Sequence, residues 1–182
     1  MQEKIEREFG SLSPQSLILA TVSSKDHDEA ITAVVRFALQ RIGADQKCCY
    51  VTIGKPNATL QELLTLNGIP TDRMLYVDCV SAERQQLKDT ATVKYVHSPH
   101  DLTAIGIQMN RFLPAKPGVV VFDSVNSLLL HNSRSDVQRF MHQFSSFVRN
   151  NKLGGIVLAL AEDGDVSLLS SIGQFCDVTV EI

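Results

Sequence analysis

The chain has 182 residues, of which 44% are hydrophobic and 20% are charged, a composition typical of a globular protein. Lysine and arginine number 17 against 20 aspartate and glutamate residues, so the net charge of −3 provides no basic surface for nucleic acid or anionic lipid. No apolar run is long enough to span a bilayer, and the charged residues 1–8 are unlike a signal peptide. We therefore expect a cytoplasmic protein with neither a nucleic-acid nor a membrane partner.

Short apolar runs alternate with segments of helical periodicity along the whole chain. Runs of this length with many β-branched residues are typical of strands buried on both faces. The alternation predicts an α/β fold with three layers, α/β/α, around a mostly parallel central sheet. We expect one domain over residues 1–182, with an N-terminal extension at 1–15 and a core at 16–182. The predicted strands are residues 16–22, 48–53, 74–77, 93–96, 119–122, 156–160 and 178–182.

Capping residues predict where several helices begin. Ser98 is followed by Pro99 and Asp101, a pattern that predicts Ser98 as an N-cap and Pro99 as the first helical residue. Ser135 is predicted to cap a later helix, and Asn57 is predicted to cap an earlier one.

The strand at 119–122 ends in Asp123 and Ser124. In open α/β sheets the carboxyl ends of the strands and the N-termini of the helices meet at one edge, which is where ligands bind. A carboxylate and a hydroxyl at this edge therefore mark the candidate functional site.

The order of these segments resembles the RecA/KaiC-like branch of the P-loop ATPases. Residues 119–129 are similar to the Walker B strand of KaiC-like proteins, in which an apolar strand ends in Asp-Ser. Residues 50–53 with 60–64 resemble the strand and helix that flank the family's paired glutamates, and residues 175–182 resemble its closing segment. The resemblance implies a RecA/KaiC-like core, with Asp123 near Mg²⁺ and assembly through the flanks of the domain.

The phosphate-binding loop of that family is not retained in this sequence. The motif G-x-x-x-x-G-K-[ST] needs glycines and a lysine to bind phosphates and a hydroxyl to hold Mg²⁺. Glu29, Ala30 and Ile31 stand at the second glycine, the lysine and the hydroxyl positions. An acid ~4 Å from a phosphate would be repelled by roughly 1 to 4 kcal/mol. The residues in the place of the motif are Ser24, Lys25, Asp26, His27, Asp28, Glu29, Ala30 and Ile31.

The paired glutamates of the family are also missing, because Gly54 and Lys55 stand in their place. Without a carboxylate there, no residue is positioned to activate the attacking water. We therefore predict no catalytic residue and neither ATP nor Mg²⁺ as a cofactor. Asp123 and Ser124 are interpreted as structural groups at a strand end rather than as metal ligands.

The other histidines and cysteines do not predict a site. One group of polar residues near the sheet edge has a spacing that fits no zinc pattern, so no metal site is predicted. This group consists of Asp78, Cys79, His97 and His100. The histidines that we expect to be solvated are His27, His131 and His142.

The favoured hypothesis is a non-catalytic regulatory or protein-interaction domain, a pseudo-ATPase with a role in signal transduction. It would bind a protein partner or a second copy of itself through its flanks. One alternative is an ATP-binding enzyme with an unorthodox phosphate site made of Lys25, Lys55 and Asp123. Another alternative is a sensory domain that holds a small molecule at the same edge.

Overall fold

The computed structural model describes residues 1–83, 86–161 and 166–182. A seven-stranded sheet lies at its centre. The strands are β1 (Leu17–Val22), β2 (Lys47–Thr52), β3 (Met74–Asp78), β4 (Val93–Tyr95), β5 (Pro117–Asp123), β6 (Gly154–Leu160) and β7 (Val178–Glu181). The helices are α1 (Gln2–Phe9), α2 (His27–Arg41), α3 (Asn57–Leu66), α4 (Leu102–Asn110), α5 (Val125–Leu129), α6 (Arg134–Asn150) and α7 (Val166–Gly173).

Every pair of neighbouring strands in the sheet is parallel, and their order is β4-β3-β2-β5-β6-β1-β7. The buried residues of α1, α2 and α3 pack on one face, and those of α4, α5, α6 and α7 pack on the other. Successive side chains of a strand point to opposite faces of the sheet, so Val121 faces the first helical layer and Phe122 faces the second. The predicted α/β/α class is confirmed. Within the described ranges no helix has both the length and the apolar character needed to cross a membrane.

The predicted start of α4 is wrong. The N-cap is Asp101, whose carboxylate accepts a hydrogen bond from the Ala104 amide at 2.8 Å. Ser98 instead begins a turn, in which its carbonyl accepts from the Asp101 amide at 3.0 Å. Asp101 is the cap because its side chain reaches an N–H group of the first helical turn, which would otherwise have no partner.

Two other predicted caps are also displaced. The N-cap of α6 is Ser133, two positions before Ser135, and its hydroxyl accepts from the Asp136 amide at 3.2 Å. Asn57 is the first residue of α3 rather than its cap, and its amide group donates to the Asp78 carboxylate at 2.7 Å. The Asn57 side chain, which the sequence pattern assigns to a cap, therefore forms a tertiary hydrogen bond with Asp78 instead.

The crossovers change face between β2 and β5. These two strands are neighbours, yet α3 follows β2 onto one face of the sheet and α5 follows β5 onto the other. A switch of this kind is the point at which ligands of open α/β sheets usually bind.

Candidate functional site

The candidate site lies at the carboxyl edge of the sheet, where β2 and β5 meet the start of α2. Asp123 is the last residue of β5, Tyr50 lies in β2, and His27 is the first residue of α2. These three side chains are far apart in the sequence and are brought together by the order of the strands.

Asp123 is only 4% exposed, and both of its carboxylate oxygens bind protein groups. The Tyr50 hydroxyl lies 2.7 Å from Oδ2, and His27 Nε2 lies 2.7 Å from Oδ1. The Tyr50 hydroxyl donates to Oδ2, and a His27 ring that carries its proton on Nε2 donates to Oδ1. Burial, and next the charge of Asp123, raise the pKa of Tyr50 well above its ordinary value, which keeps the hydroxyl protonated as a donor.

The prediction that His27 is solvated is therefore wrong. Its side chain is 16% exposed and its ring is held against Asp123. The reason is local, because residues 24–26 form one 3₁₀ turn and α2 begins directly after it. This short connection brings the first side chain of the helix to the carboxyl edge of the neighbouring strands.

The segment in the place of a phosphate loop is mostly helical. Ser24, Lys25 and Asp26 make up the 3₁₀ turn, and the rest of the segment belongs to α2. Ala30 and Ile31 are fully buried and pack into the core. The two positions at which the motif requires a lysine and a hydroxyl therefore carry aliphatic side chains that face away from the solvent.

Gly54 and Lys55 follow β2 after Ile53 and have structural contacts. The Lys55 ammonium forms an ion pair with Asp28 in the first turn of α2. The Thr52 hydroxyl bonds both the amide and the carbonyl of Lys55 and so fixes this turn. A Cβ atom at Gly54 would lie 2.9 Å from the Ser127 hydroxyl, so a side chain at this position would require Ser127 in α5 to move.

Ser124 serves as the N-cap of α5. Its hydroxyl accepts from the Ser127 amide at 3.3 Å and lies 3.0 Å from the Ser127 hydroxyl. The peptide bond that joins Asp123 to Ser124 is cis.

The basic residues predicted for an unorthodox phosphate site lie in separate environments. Lys25 lines an open depression of about 790 Å³ together with Lys4, Glu181 and Ile182, on the β7 side of the sheet. Lys55 contacts Asp28 on the β2 side, and Asp123 is occupied by His27 and Tyr50. These three groups, Lys25, Lys55 and Asp123, therefore do not converge on one point.

Asp78, at the end of β3, is a second buried carboxylate with many donors. It accepts from the amides of Asn57, Val80 and Ser81, each at 2.8 Å, and from the Ser81 hydroxyl at 2.6 Å. Burial alone would raise its pKa, but the bonds from Ser81 and Asn57 outweigh burial and hold the pKa of Asp78 below its ordinary value. Among the described residues, no group of three or more His, Cys, Asp or Glu side chains is arranged to hold a metal ion.

Tyr50 is the site residue that sequence reasoning missed. A tyrosine in a strand that is covered on both faces must find a partner for its hydroxyl. This requirement could have identified Tyr50 as a polar group of the site, although not Asp123 as its acceptor.

Comparisons with known proteins support the fold. A family model described as a family of unknown function, DUF7504, matches residues 18–182. The KaiC-like protein PH0186 from the hyperthermophilic archaeon Pyrococcus horikoshii OT3 superposes with a TM-score of 0.66 and 12% identity, over 94% of this chain and 74% of that one. No curated protein matches the sequence.

A second solved structure is also similar. It is the uncharacterized protein PH0321 from Pyrococcus horikoshii, in complex with an unknown peptide. The TM-score is 0.69 and the identity 17%, over 98% of this chain and 82% of that one. At such identities the likeness establishes a KaiC-like fold and no more.

Proposed function

This chain belongs to the DUF7504 family of unknown function, and we propose that it is a non-catalytic, protein-binding regulatory domain built on a KaiC-like fold. On this proposal the domain keeps the packing of its fold and binds neither ATP nor Mg²⁺. Its biological output, a role in signal transduction, comes from the proteins that it contacts.

The observation that carries the proposal is that His27 and Tyr50 each contact one carboxylate oxygen of Asp123. A magnesium ion held through water by this carboxylate needs an oxygen that faces a ligand cavity. The imidazole of His27 already lies 2.7 Å from Oδ1 and takes one of the acceptor positions that such a water could use. A metal bound through that position would require His27 to move.

The ion pairs of the charged residues near Asp123 also support the proposal. Lys55, the basic residue closest in sequence to the end of β2, is neutralised by Asp28. Glu29 is paired with the N-terminal ammonium of Met1 at 3.2 Å, so α1 is tied to the start of α2. The Lys55–Asp28 pair therefore takes up one basic group that a triphosphate could otherwise use on this side of the site.

The protein-binding part of the proposal is supported by PH0321, a structural neighbour in complex with an unknown peptide. A shared fold can present equivalent surfaces even where the sequences have diverged. We extend the peptide-binding property to this chain as a hypothesis.

The test is calorimetric titration of the protein with Mg·ATP and Mg·ADP up to millimolar concentration. We expect no heat of binding and no rise in melting temperature. Asp123→Ala should give the same absence of heat, and so should Asp45→Ala, a control that removes an exposed carboxylate elsewhere. Micromolar binding that is lost in Asp123→Ala and kept in Asp45→Ala would refute the proposal.

A further inference from the structure

Two histidines that are far apart in the sequence lie side by side at the carboxyl edge of the sheet. His100 belongs to the turn that leads from β4 into α4, and His131 follows α5 in the connection to α6. Their ring centres are 5.3 Å apart, and the two ring planes are nearly perpendicular, at 87°. The fold therefore brings together two imidazoles from separate connections.

Hydrogen bonds hold the backbone that carries these two rings. The side-chain amide of Asn132, the residue after His131, donates to the carbonyl of Pro99, the residue before His100, at 3.0 Å. The same amide lies 3.1 Å from the Leu128 carbonyl, which also accepts from the His131 amide at 3.1 Å. The two connections are thus tied to each other next to the histidines, so a ligand that binds both rings does not have to bring them together.

The ring nitrogens of both histidines are available to a ligand. Within residues 1–83, 86–161 and 166–182, neither ring forms a hydrogen bond or an ion pair, and each has the other as its only ring contact. His27 differs, because its Nε2 is occupied by Asp123. His100 is exposed and His131 is half-buried, so a small ion can reach the pair from the solvent.

The separation of the two rings fits a metal ion that is bound by both. Zn²⁺ binds imidazole nitrogen at about 2.1 Å, and two imidazoles on one tetrahedral ion consequently have their ring centres about 5 Å apart. The observed separation is 5.3 Å. The χ2 torsion of histidine is broad, so each ring can turn a nitrogen toward a common point without any change in the backbone.

The ligand type selects the class of metal. Imidazole is a ligand for Zn²⁺, Cu²⁺ and Ni²⁺, whereas Mg²⁺ and Ca²⁺ take oxygen ligands. Among the residues that the structure describes, no third His, Cys, Asp or Glu is grouped with this pair. Water must therefore complete the coordination, which makes the site open and its ion exchangeable.

We propose that His100 and His131 together bind one Zn²⁺ ion. This inference does not rest on the proposed protein-binding function and concerns residues other than those around Asp123. One ligand precedes α4 and the other follows α5, so the bound ion links two connections at the same edge of the sheet. Because the pair exists only in the folded chain, zinc should stabilise the fold.

The first test is calorimetric titration of the chelator-treated protein with zinc chloride, together with melting curves. The wild type should bind one equivalent of zinc and melt at a higher temperature when zinc is present. His100→Ala and His131→Ala should each weaken zinc binding by about tenfold or more. His142→Ala is the matched control, because it removes an exposed histidine whose ring contacts Phe175 instead, and it should bind zinc as the wild type does.

Nitrogen-15 NMR of the histidine rings locates the ion in the wild-type protein and so does not depend on the folding of any variant. Zinc should shift the ring nitrogens of His100 and His131 and leave those of His27 and His142 unchanged, and Mg²⁺ should shift none of the four. The inference would be overturned by absence of zinc binding up to about 1 mM, by equal affinity in all three alanine variants, or by shifts at His27 or His142 alone. Nucleotide binding in the test of the proposed function would leave this inference unaffected.

Discussion

Asp123 is a buried carboxylate, and a carboxylate in that position is stable only when its oxygens accept hydrogen bonds. Tyr50 and His27 supply one donor each. At the residue scale these two donors explain how an acid can remain at the end of β5 without binding a metal.

The contribution of Tyr50 can be measured against a matched control in the next strand. Tyr76 lies opposite Tyr50 in the parallel register and is also buried, but its hydroxyl has no partner in the described part of the chain. Tyr50→Phe should lower the free energy of unfolding by about 1 to 3 kcal/mol, because it leaves Asp123 with one donor fewer. Tyr76→Phe should change stability by less than about 0.5 kcal/mol or increase it. Urea denaturation measures both, and equal losses in the two variants would contradict this role of Tyr50.

The sequence predicted the position of Asp123 but not its partners. An apolar run that ends in an acid places that acid at the carboxyl end of a strand whatever the rest of the fold is. Its donors are 73 and 96 positions away, and their approach depends on the order of the strands in the sheet. Sequence periodicity does not encode that order, so His27 was wrongly predicted to be solvated.

At the scale of single elements, strand positions were predictable and helix starts were not. Strands follow from apolar runs, whereas several residues near a helix start can serve as the N-cap. Around α4 both Ser98 and Asp101 fit the sequence pattern, and the structure selects Asp101.

The choice of cap at α4 gives a testable difference in stability. Asp101→Ala should destabilise the protein by about 1 kcal/mol, because the Ala104 amide loses its acceptor. Ser98→Ala should cost less than about 0.5 kcal/mol, since among the described residues its hydroxyl bonds only the His100 amide, at 3.3 Å. Thermal denaturation of the two variants measures the difference. A larger loss of stability in Ser98→Ala would mean that Ser98 is the cap, as the sequence pattern predicted.

Asp78 links β3 to the start of α3 and gives the fold a dependence on pH. Its pKa is lower in the folded chain than the ordinary value of 3.8, so ionisation of Asp78 stabilises the folded state. That contribution is complete above pH 3.8 and is lost as the pH falls below this value through the folded pKa. Asp78→Asn should therefore show a shallower fall in the free energy of unfolding in this acidic range than the wild type. Parallel curves for the two proteins would mean that the ionisation of Asp78 does not stabilise the fold.

At the scale of the whole molecule, the layered α/β class followed from the alternation of strands and helices, and a parallel sheet is the usual solution for that alternation. The order β4-β3-β2-β5-β6-β1-β7 did not follow, because each crossover can place a strand on either side of the previous one. It is this order that brings β2 next to β5, and so Tyr50 next to Asp123, a contact on which the proposed function depends.

The central claim is that Asp123 is a structural acceptor and not a ligand for a metal or a nucleotide. A double-mutant cycle with His27→Ala, Asp123→Ala and the double variant, followed by chemical denaturation, tests it most directly. The account predicts that both single variants are destabilised and that the two residues couple by about 1 to 3 kcal/mol, as expected for a hydrogen bond to a charged group. The account would be contradicted if the two single effects added to within about 0.5 kcal/mol and Asp123→Ala were at least as stable as the wild type. That result is expected of a carboxylate kept for binding a ligand, because such a group typically lowers the stability of the free protein.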